Sequence, residues 1–385
     1  MSGKPAAALA VQGPQRFAER LIAWQRAHGR HDLPWQASQD PYRVWLSEIM
    51  LQQTQVGVVA AYYARFLERF PSVRELAAAS LDEVLALWSG LGYYRRARHL
   101  HQCAQQVCAL HGGEFPRTAE ALRQLAGIGR STAAAIAAFC YGERAAILDG
   151  NVKRVLSRTY AMPLQTSEAA AQRALWRQAE ALLPERDVAA YTQGLMDLGA
   201  TVCKPRHPAC GQCPFGDDCQ ARRAGQPEGA GGADAMEAGP LAAARRKPAA
   251  PRKTQRWILL WAEDAQAAAP NIWLERRGAA GIWPELWCLP QFDTHEQALH
   301  HAGLLGIVQS HSALATTTHT LTHLDLQLSP LRVRLDPRLA VHEDGGAWFP
   351  LRAALELGLP APVRRLLQVH GHGSDAAIAP GSMQL

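Results

Sequence analysis

No run of apolar residues in this chain approaches the roughly 18 that a membrane-spanning helix needs. The longest, around Ala133 to Tyr141, is about half that. A secretory signal is also missing, since the stretch that begins at Lys4 is too short and too rich in alanine. The expected location is therefore the cytoplasm, with no membrane partner. Cysteine is sparse, with 8 in 385 residues, and without a secretory route disulfides are disfavoured. Charged residues are 19% and hydrophobic residues 48%, the balance of a folded soluble protein. The net charge of +6 leans towards an anionic partner. At 385 residues the chain is long for one core, so two domains or more are expected.

Strand alternation is absent from the first half of the chain. Residues 1–14 read as a flexible tail, and from there to about residue 200 the apolar spacing is helical. Ser80-Leu81-Asp82-Glu83 is a capping box opening a helix to about Trp88, and Pro41 suits the first turn of a helix through Gln55. From about 222 to 255 the composition turns to Ala, Gly, Pro and Arg, which reads as a linker. Beyond it, Trp257 to Trp261 and Ile272 to Leu274 look like buried strands, and Leu324, Leu326 and Leu328 alternate with Asp325 and Gln327. The expected order is an all-α domain over residues 15–225, a linker over 226–255, an α/β domain over 256–370 and a tail over 371–385.

Half of the cysteines, Cys203, Cys210, Cys213 and Cys219, are spaced C-x6-C-x2-C-x5-C. Four thiolates at that spacing suit an iron–sulfur cluster or a zinc ion about equally. Lys204, Arg206, His207, Arg222 and Arg223 lie in or just beyond the same stretch, as in a loop presented to a polyanion. In Leu125-Ala126-Gly127-Ile128-Gly129-Arg130-Ser131-Thr132, Gly127 and Gly129 make a tight turn that leads into a helix N-terminus, where a phosphate can sit. Asp149 follows two apolar residues and opens a helical run, so it reads as an N-cap. A carboxylate near the positive end of the helix dipole is expected to stay ionised. Glu48 has no cation at i±3 or i±4 on an otherwise apolar helix, so a raised pKa is expected. Glu48, Gln52 and Gln55 would form a polar stripe, the wall of a pocket. One carboxyl kept protonated and one kept ionised suit cleavage of a glycosidic bond through an oxocarbenium-like transition state.

LAGIGRSTAAAI, then ILDGNVKRVL, then the four cysteines, resemble the helix-hairpin-helix DNA glycosylases that carry a [4Fe–4S] cluster, and WLSEIMLQQTQV, GLGYY and MDLGA resemble the adenine-removing branch of that family. The resemblance covers about residues 15–225 and implies an iron–sulfur cluster on the four cysteines. It implies that Glu48 protonates adenine at N7 and that Asp149 stabilises the oxocarbenium ion, with Asn151 and Ser131 in support. Trp35, Gln36 and Gln193 would line the pocket for a flipped adenine. Gln53, Thr54, Leu91 and Tyr93 would fill the duplex beside the opposite base. In the endonuclease III branch a lysine stands where this chain has Ser131. A hydroxyl forms no imine, so base removal without strand cleavage is expected.

The second domain resembles the Nudix-like C-terminal domain of the same branch. QFDTHEQALHHAGLLG lacks the clustered acids that hold magnesium, so it is expected to bind and not to hydrolyse. In the family a Phe-Ser-His loop reads 8-oxoguanine. Here Leu321-Thr322-His323 stands in its place, which keeps the histidine and loses the aromatic ring. Ala126, where proline is usual, and Pro284-Glu285, where glycines are usual, alter loop geometry. The expected partner is duplex DNA with adenine opposite 8-oxoguanine or guanine, bound by a monomer that associates with the nucleoid in a bacterium. Two rival readings are an endonuclease III-type pyrimidine glycosylase/lyase and a non-catalytic DNA-binding module.

Overall fold

The computed structural model describes residues 13–162, 168–225, 252–267, 270–321, 324–338 and 345–371. Most of the two expected tails, most of the linker, and His323 lie outside these residues. Among the described residues no helix is long and apolar enough to cross a membrane. Contacts divide the chain into two compact units, Met1–Ala77 with Gln102–Ala249 and Ala78–His101 with Ala250–Leu385.

The first stretch of helices is α1 (Pro14–His28), α2 (Pro41–Leu51), α3 (Val56–Arg69), α4 (Val73–Ala78), α5 (Leu81–Trp88) and α6 (Arg95–His111). After them come α7 (Ala119–Leu122), α8 (Arg130–Tyr141), α9 (Gly150–Tyr160), α10 (Glu168–Ala181), α11 (Val188–Asp197) and α12 (Gln220–Arg223). The core of the first unit joins α1, α8, α9 and α11: Phe17, Leu21, Ala134, Val152, Leu156, Tyr191 and Leu195 are all buried there. Phe17 also stacks on Phe215, with ring centroids 4.2 Å apart, so the cysteine segment is tied to the helical core.

Local rules account for most helix ends. The capping box at Ser80 and Glu83 is present, and Asp40 accepts from the Arg43 N–H at 3.1 Å to open α2 at Pro41. The expectation of one helix through Gln55 is corrected. Helix α2 stops at Leu51, Gln53 takes a left-handed φ of 58°, and Gln55 becomes the N-cap position of α3. Glu48, Gln52 and Gln55 therefore do not form a stripe on one helix, because the turn resets the periodicity. Helix α11 continues into a π-turn over Leu198–Val202, with the Cys203 N–H donating to the Leu198 carbonyl at 2.7 Å. Such widened turns often mark functional sites.

The second unit is built on a sheet of eight strands: β1 (Lys253–Asp264), β2 (Asn271–Arg276), β3 (Trp287–Cys288), β4 (Gln291–Phe292), β5 (Gly306–Ala313), β6 (Thr317–Thr320), β7 (Leu324–Pro337) and β8 (Gly346–Pro350). Its main path runs β3-β2-β1-β7-β5, with β4 on β1, β6 on β7 and β8 on β2. Strands β1 and β7 pair in parallel from Lys253↔Leu324 to Asp264↔Leu335, and the other pairs are antiparallel. Leu324, Leu326 and Leu328 are buried while Asp325 and Gln327 are half-buried, the period-2 pattern of a strand with one covered face. Helix α13 (His295–Leu305) covers the sheet with Ala298, Ala302 and Leu305, and α14 (Leu351–Ala354) and α15 (Ala361–His370) follow. Residues 78–101 belong to this unit. Ser89 Oγ donates to the Leu359 carbonyl at 2.8 Å, Arg364 Nε donates to Ser89 Oγ at 3.1 Å, and Arg98 donates to the Pro284 carbonyl at 2.8 Å.

Candidate active site

A cavity of about 700 Å³ opens in the first unit between the Arg30–Thr54 segment, the start of α8, the start of α9 and α11. Ten residues singled out in the sequence line it: Trp35, Gln36, Glu48, Gln52, Gln53, Thr54, Ser131, Asp149, Asn151 and Gln193. Four of those expected to meet DNA do not. Gly127 and Gly129 lie in the exposed turn before α8, Leu91 is buried within the second unit, and Tyr93 stands exposed there at a φ of 49°.

The two carboxyls share this cavity. Glu48 sits two turns into α2, half-buried and open to the cavity. Burial first, and the charge of Asp149 second, push its pKa up to about 8. Asp149 caps α9 by accepting from the Val152 N–H at 2.8 Å. Burial is the largest influence on Asp149 and raises its pKa from the ordinary carboxylate value. The N–H groups of Val152 and Asn151 and the charges of Arg154 and Lys153 oppose that rise. Asp149 thus has donors and cations favouring its ionised form, whereas burial and a like charge are what act on Glu48. The first proton leaves from Asp149, and its charge then holds the proton on Glu48.

Ser131 braces the loop that carries Asp149, because its hydroxyl oxygen accepts the Leu148 N–H at 3.0 Å. Gly127, at a φ of 74°, lets the chain turn there, while Leu125 and Ile128 anchor the turn in the core. Trp35 is buried edge-on against Tyr63, with centroids 5.6 Å apart.

Several residues that hold this site were not found by reading the sequence. Arg154, on α9 and only 4% exposed, donates to Asn151 Oδ1 and to the Gly199 carbonyl, each at 2.7 Å, and to the Cys203 carbonyl at 2.7 Å. One turn on, Arg158 donates to the carbonyls of Lys204 at 2.7 Å and Pro205 at 3.0 Å, and lies 3.4 Å from Cys203 Sγ. Gly199 packs so closely on Asn151 that an added Cβ would come within 2.5 Å of the Asn151 Cβ. The i, i+4 spacing of Arg154 and Arg158 on an apolar helix was the available signal, but a sequence does not show that both side chains turn inward.

Cys203, Cys210, Cys213 and Cys219 line one small cavity with Val155, Leu198, Val202 and Ala221, away from the two carboxyls. Among the described residues no three His, Cys, Asp or Glu side chains converge on a place for a single metal ion. Four thiols around one cavity fit a group in which each of four irons takes one thiolate.

With this geometry in view, comparisons define the class. Residues 46–181 match the model of the HhH-GPD superfamily base excision DNA repair proteins, 203–219 the iron–sulfur binding domain of endonuclease III, and 257–369 the NUDIX domain. The chain is a DNA N-glycosylase with a Nudix-like domain, and its cofactor is a [4Fe–4S] cluster. It is 34% identical to an adenine DNA glycosylase of Buchnera aphidicola subsp. Acyrthosiphon pisum over 91% of this chain and 97% of that one. It is 35% identical to that of Rattus norvegicus over 92% of this chain and 78% of that one. With the Homo sapiens protein the identity is 43%, over 54% of this chain and 39% of that one. The chain belongs to the adenine DNA glycosylase family.

Two predictions follow from the geometry. The folded pKa of Glu48, about 8, lies above its ordinary value of 4.5, so stability present at acid pH is lost as pH rises between the two. Glu48→Gln removes that titration. The variant should melt progressively above the parent from about pH 5 to 8, gaining about 3 kcal/mol, whereas melting curves that stay parallel at every pH would contradict the assignment. Arg158→Ala leaves buried carbonyls beside the cysteines without their donor, at about 3 kcal/mol or more. Iron content, read from the cluster absorbance, should drop while the second unit stays folded.

Proposed function

We propose that this protein removes adenine mispaired with 8-oxoguanine or guanine from duplex DNA, leaving an abasic site without cutting the strand. The observation that carries the reading is the placement of Glu48 and Asp149 on one cavity with Trp35, Gln36 and Gln193. An adenine unstacked from the duplex enters that cavity. Glu48, which holds its proton at neutral pH, donates it to N7. Electron density is drawn from the C1′–N9 bond, the bond breaks, and neutral adenine leaves. The sugar carries positive charge as it goes, and the Asp149 carboxylate faces that charge. Asn151 and Ser131 keep Asp149 in place. Water then adds to C1′ and gives up a proton to the Glu48 carboxylate, which restores the acid and leaves the deoxyribose as an abasic hydroxyl.

Ser131 supports the monofunctional outcome. Its hydroxyl is engaged by the Leu148 N–H and offers no amine to form an imine with the abasic sugar. The exposed turn at Gly127 and Gly129, followed by α8, suits a DNA phosphate, and the basic cysteine segment suits further phosphates. Gln53, Thr54, Leu91 and Tyr93 would then meet the duplex beside the opposite base. In the second unit, His323 would read 8-oxoguanine.

A duplex with adenine opposite 8-oxoguanine tests the reaction. Free adenine, with strand breaks only after alkali, supports it; breaks without alkali point to a lyase, and no release to a binding module. Glu48→Gln should lower single-turnover excision at least 10³-fold, in the upper part of the range for a general acid of about 10²–10⁴, yet keep lesion binding. In the parent, excision should fall as pH rises through about 8, where Glu48 loses its proton. His323→Ala should lower the preference for 8-oxoguanine over guanine by about 10-fold, the worth of one polar contact. An unchanged preference would remove His323 from recognition.

A further inference from the structure

The end of α11 holds a buried charge that the reaction above does not use. Asp197 is fully buried. Its Oδ2 accepts the Arg30 N–H at 3.0 Å, and its Oδ1 accepts from the Arg30 guanidinium at 2.8 and 2.7 Å. The same Oδ1 accepts from Gln193 Nε2 at 2.9 Å. Gln193 lies one turn before Asp197 on α11 and lines the cavity, as Arg30 does.

An amide side chain has a donating end and an accepting end, and the choice between them decides what a base meets. A carboxylate gripped by three arginine N–H donors can only accept. It therefore takes the NH2 end of Gln193 and leaves the carbonyl Oε1 as the end not bound to it. Gln36 has no such freedom to offer, since its Nε2 donates to the Arg30 carbonyl at 3.0 Å and its Oε1 accepts the Leu33 N–H at 3.2 Å. Both of its ends close the loop that contains Arg30.

We infer that Asp197, gripped by Arg30, is a positioning residue that sets the Gln193 amide carbonyl-outward, so that the cavity favours a purine with a 6-amino group over one with a 6-oxo group. This rests on the reading of the cavity as the adenine pocket. A 6-amino group donates to Oε1, whereas a 6-oxo group would set carbonyl against carbonyl and leave two acceptors unpaired in an enclosed site. With the amide free to turn, its NH2 would meet a 6-oxo base equally well.

The test compares single-turnover excision of adenine and of hypoxanthine from the same site opposite 8-oxoguanine, by the full-length holoprotein. Intrinsic differences in how easily the two bases leave are common to all variants, so the change in the adenine-to-hypoxanthine ratio reports the pocket. Asp197→Ala should lower that ratio about 10-fold, close to the ratio for Gln193→Leu. Arg30→Met, which keeps the side chain's apolar stem and leaves Asp197 in place, should lower it part of the way, and Arg30→Lys should restore it. In the Gln193→Leu background Arg30→Met should change the ratio no further, because no amide is left to turn. A merely structural role would lower both rates together and leave the ratio unchanged in every variant, which overturns the inference. If Asp197→Ala loses its cluster absorbance, the Arg30→Met ratio decides. Failure of the parent to release adenine at all would overturn the functional reading instead.

Discussion

The first unit depends on the burial of two guanidinium groups along a single helix. Arg154 and Arg158 leave α9 one turn apart and bond to main-chain carbonyls at Gly199, Cys203, Lys204 and Pro205. A buried cation needs compensation close by, and carbonyl oxygens supply part of it. Four cysteine thiolates around an iron–sulfur cluster would add to it, because such a ligand set would bring negative charge to the same side of the helix. The cysteine segment is held by these arginine-to-carbonyl bonds as well as by Phe17 stacked on Phe215. Helix α9 also begins at Asp149. One rigid element thus joins the carboxylate at its first turn to the cysteines along its length, with Asn151 touched by Arg154 and pressed against Gly199 between them.

That frame explains how two acids in one cavity take different roles. Burial alone would raise both and leave their order open. Asp149 is placed where α9 offers N–H groups and where Arg154 and Lys153 contribute positive charge, while Glu48 projects from a helix whose neighbouring positions are apolar. The difference in environment sets which acid ionises first, and the charge on the first then works on the second. The melting behaviour expected of Glu48→Gln and the loss of excision above pH 8 are two consequences of the same proton on Glu48.

Much of this was legible from residues alone, and what was not has a physical cause. Glu48 and Asp149 stood out through what surrounds them in the sequence: no cation near one, two apolar residues and a helix start at the other. The cysteine spacing showed four thiolates but left cluster and zinc equal, since spacing along a chain does not state how far apart four sulfurs lie in space. The strand period at Leu324 to Leu328 was clear because one face is covered. Reading α2 through to Gln55 failed because a left-handed Gln53 carries no signature in composition, and apolar spacing resumes beyond it in α3. Asp197 and Arg30 were invisible for another reason. They are 167 positions apart, and each alone looks like an ordinary helix-end charge. Long-range pairing of this kind is created by the fold.

The second unit shows the same principle in reverse, a fold retained while its acids are put to other use. Helix α13 presents His295, Glu296, His300 and His301, a single carboxylate where a magnesium site would need several. The neighbouring carboxylate on the sheet, Glu275, is already engaged: its Oε1 lies 2.9 Å from His301 Nε2 and accepts from Trp273 Nε1 at 3.0 Å. These bonds hold its pKa below the usual range despite burial, so its charge is spent on packing α13 against the sheet. The sheet packs under α13 through a core of buried residues that includes Ile258, Leu260, Ala298, Ala302 and Val333. Residues 78–101, which fold with this unit and carry Leu91 and Tyr93, bring to it two of the side chains expected to meet the duplex.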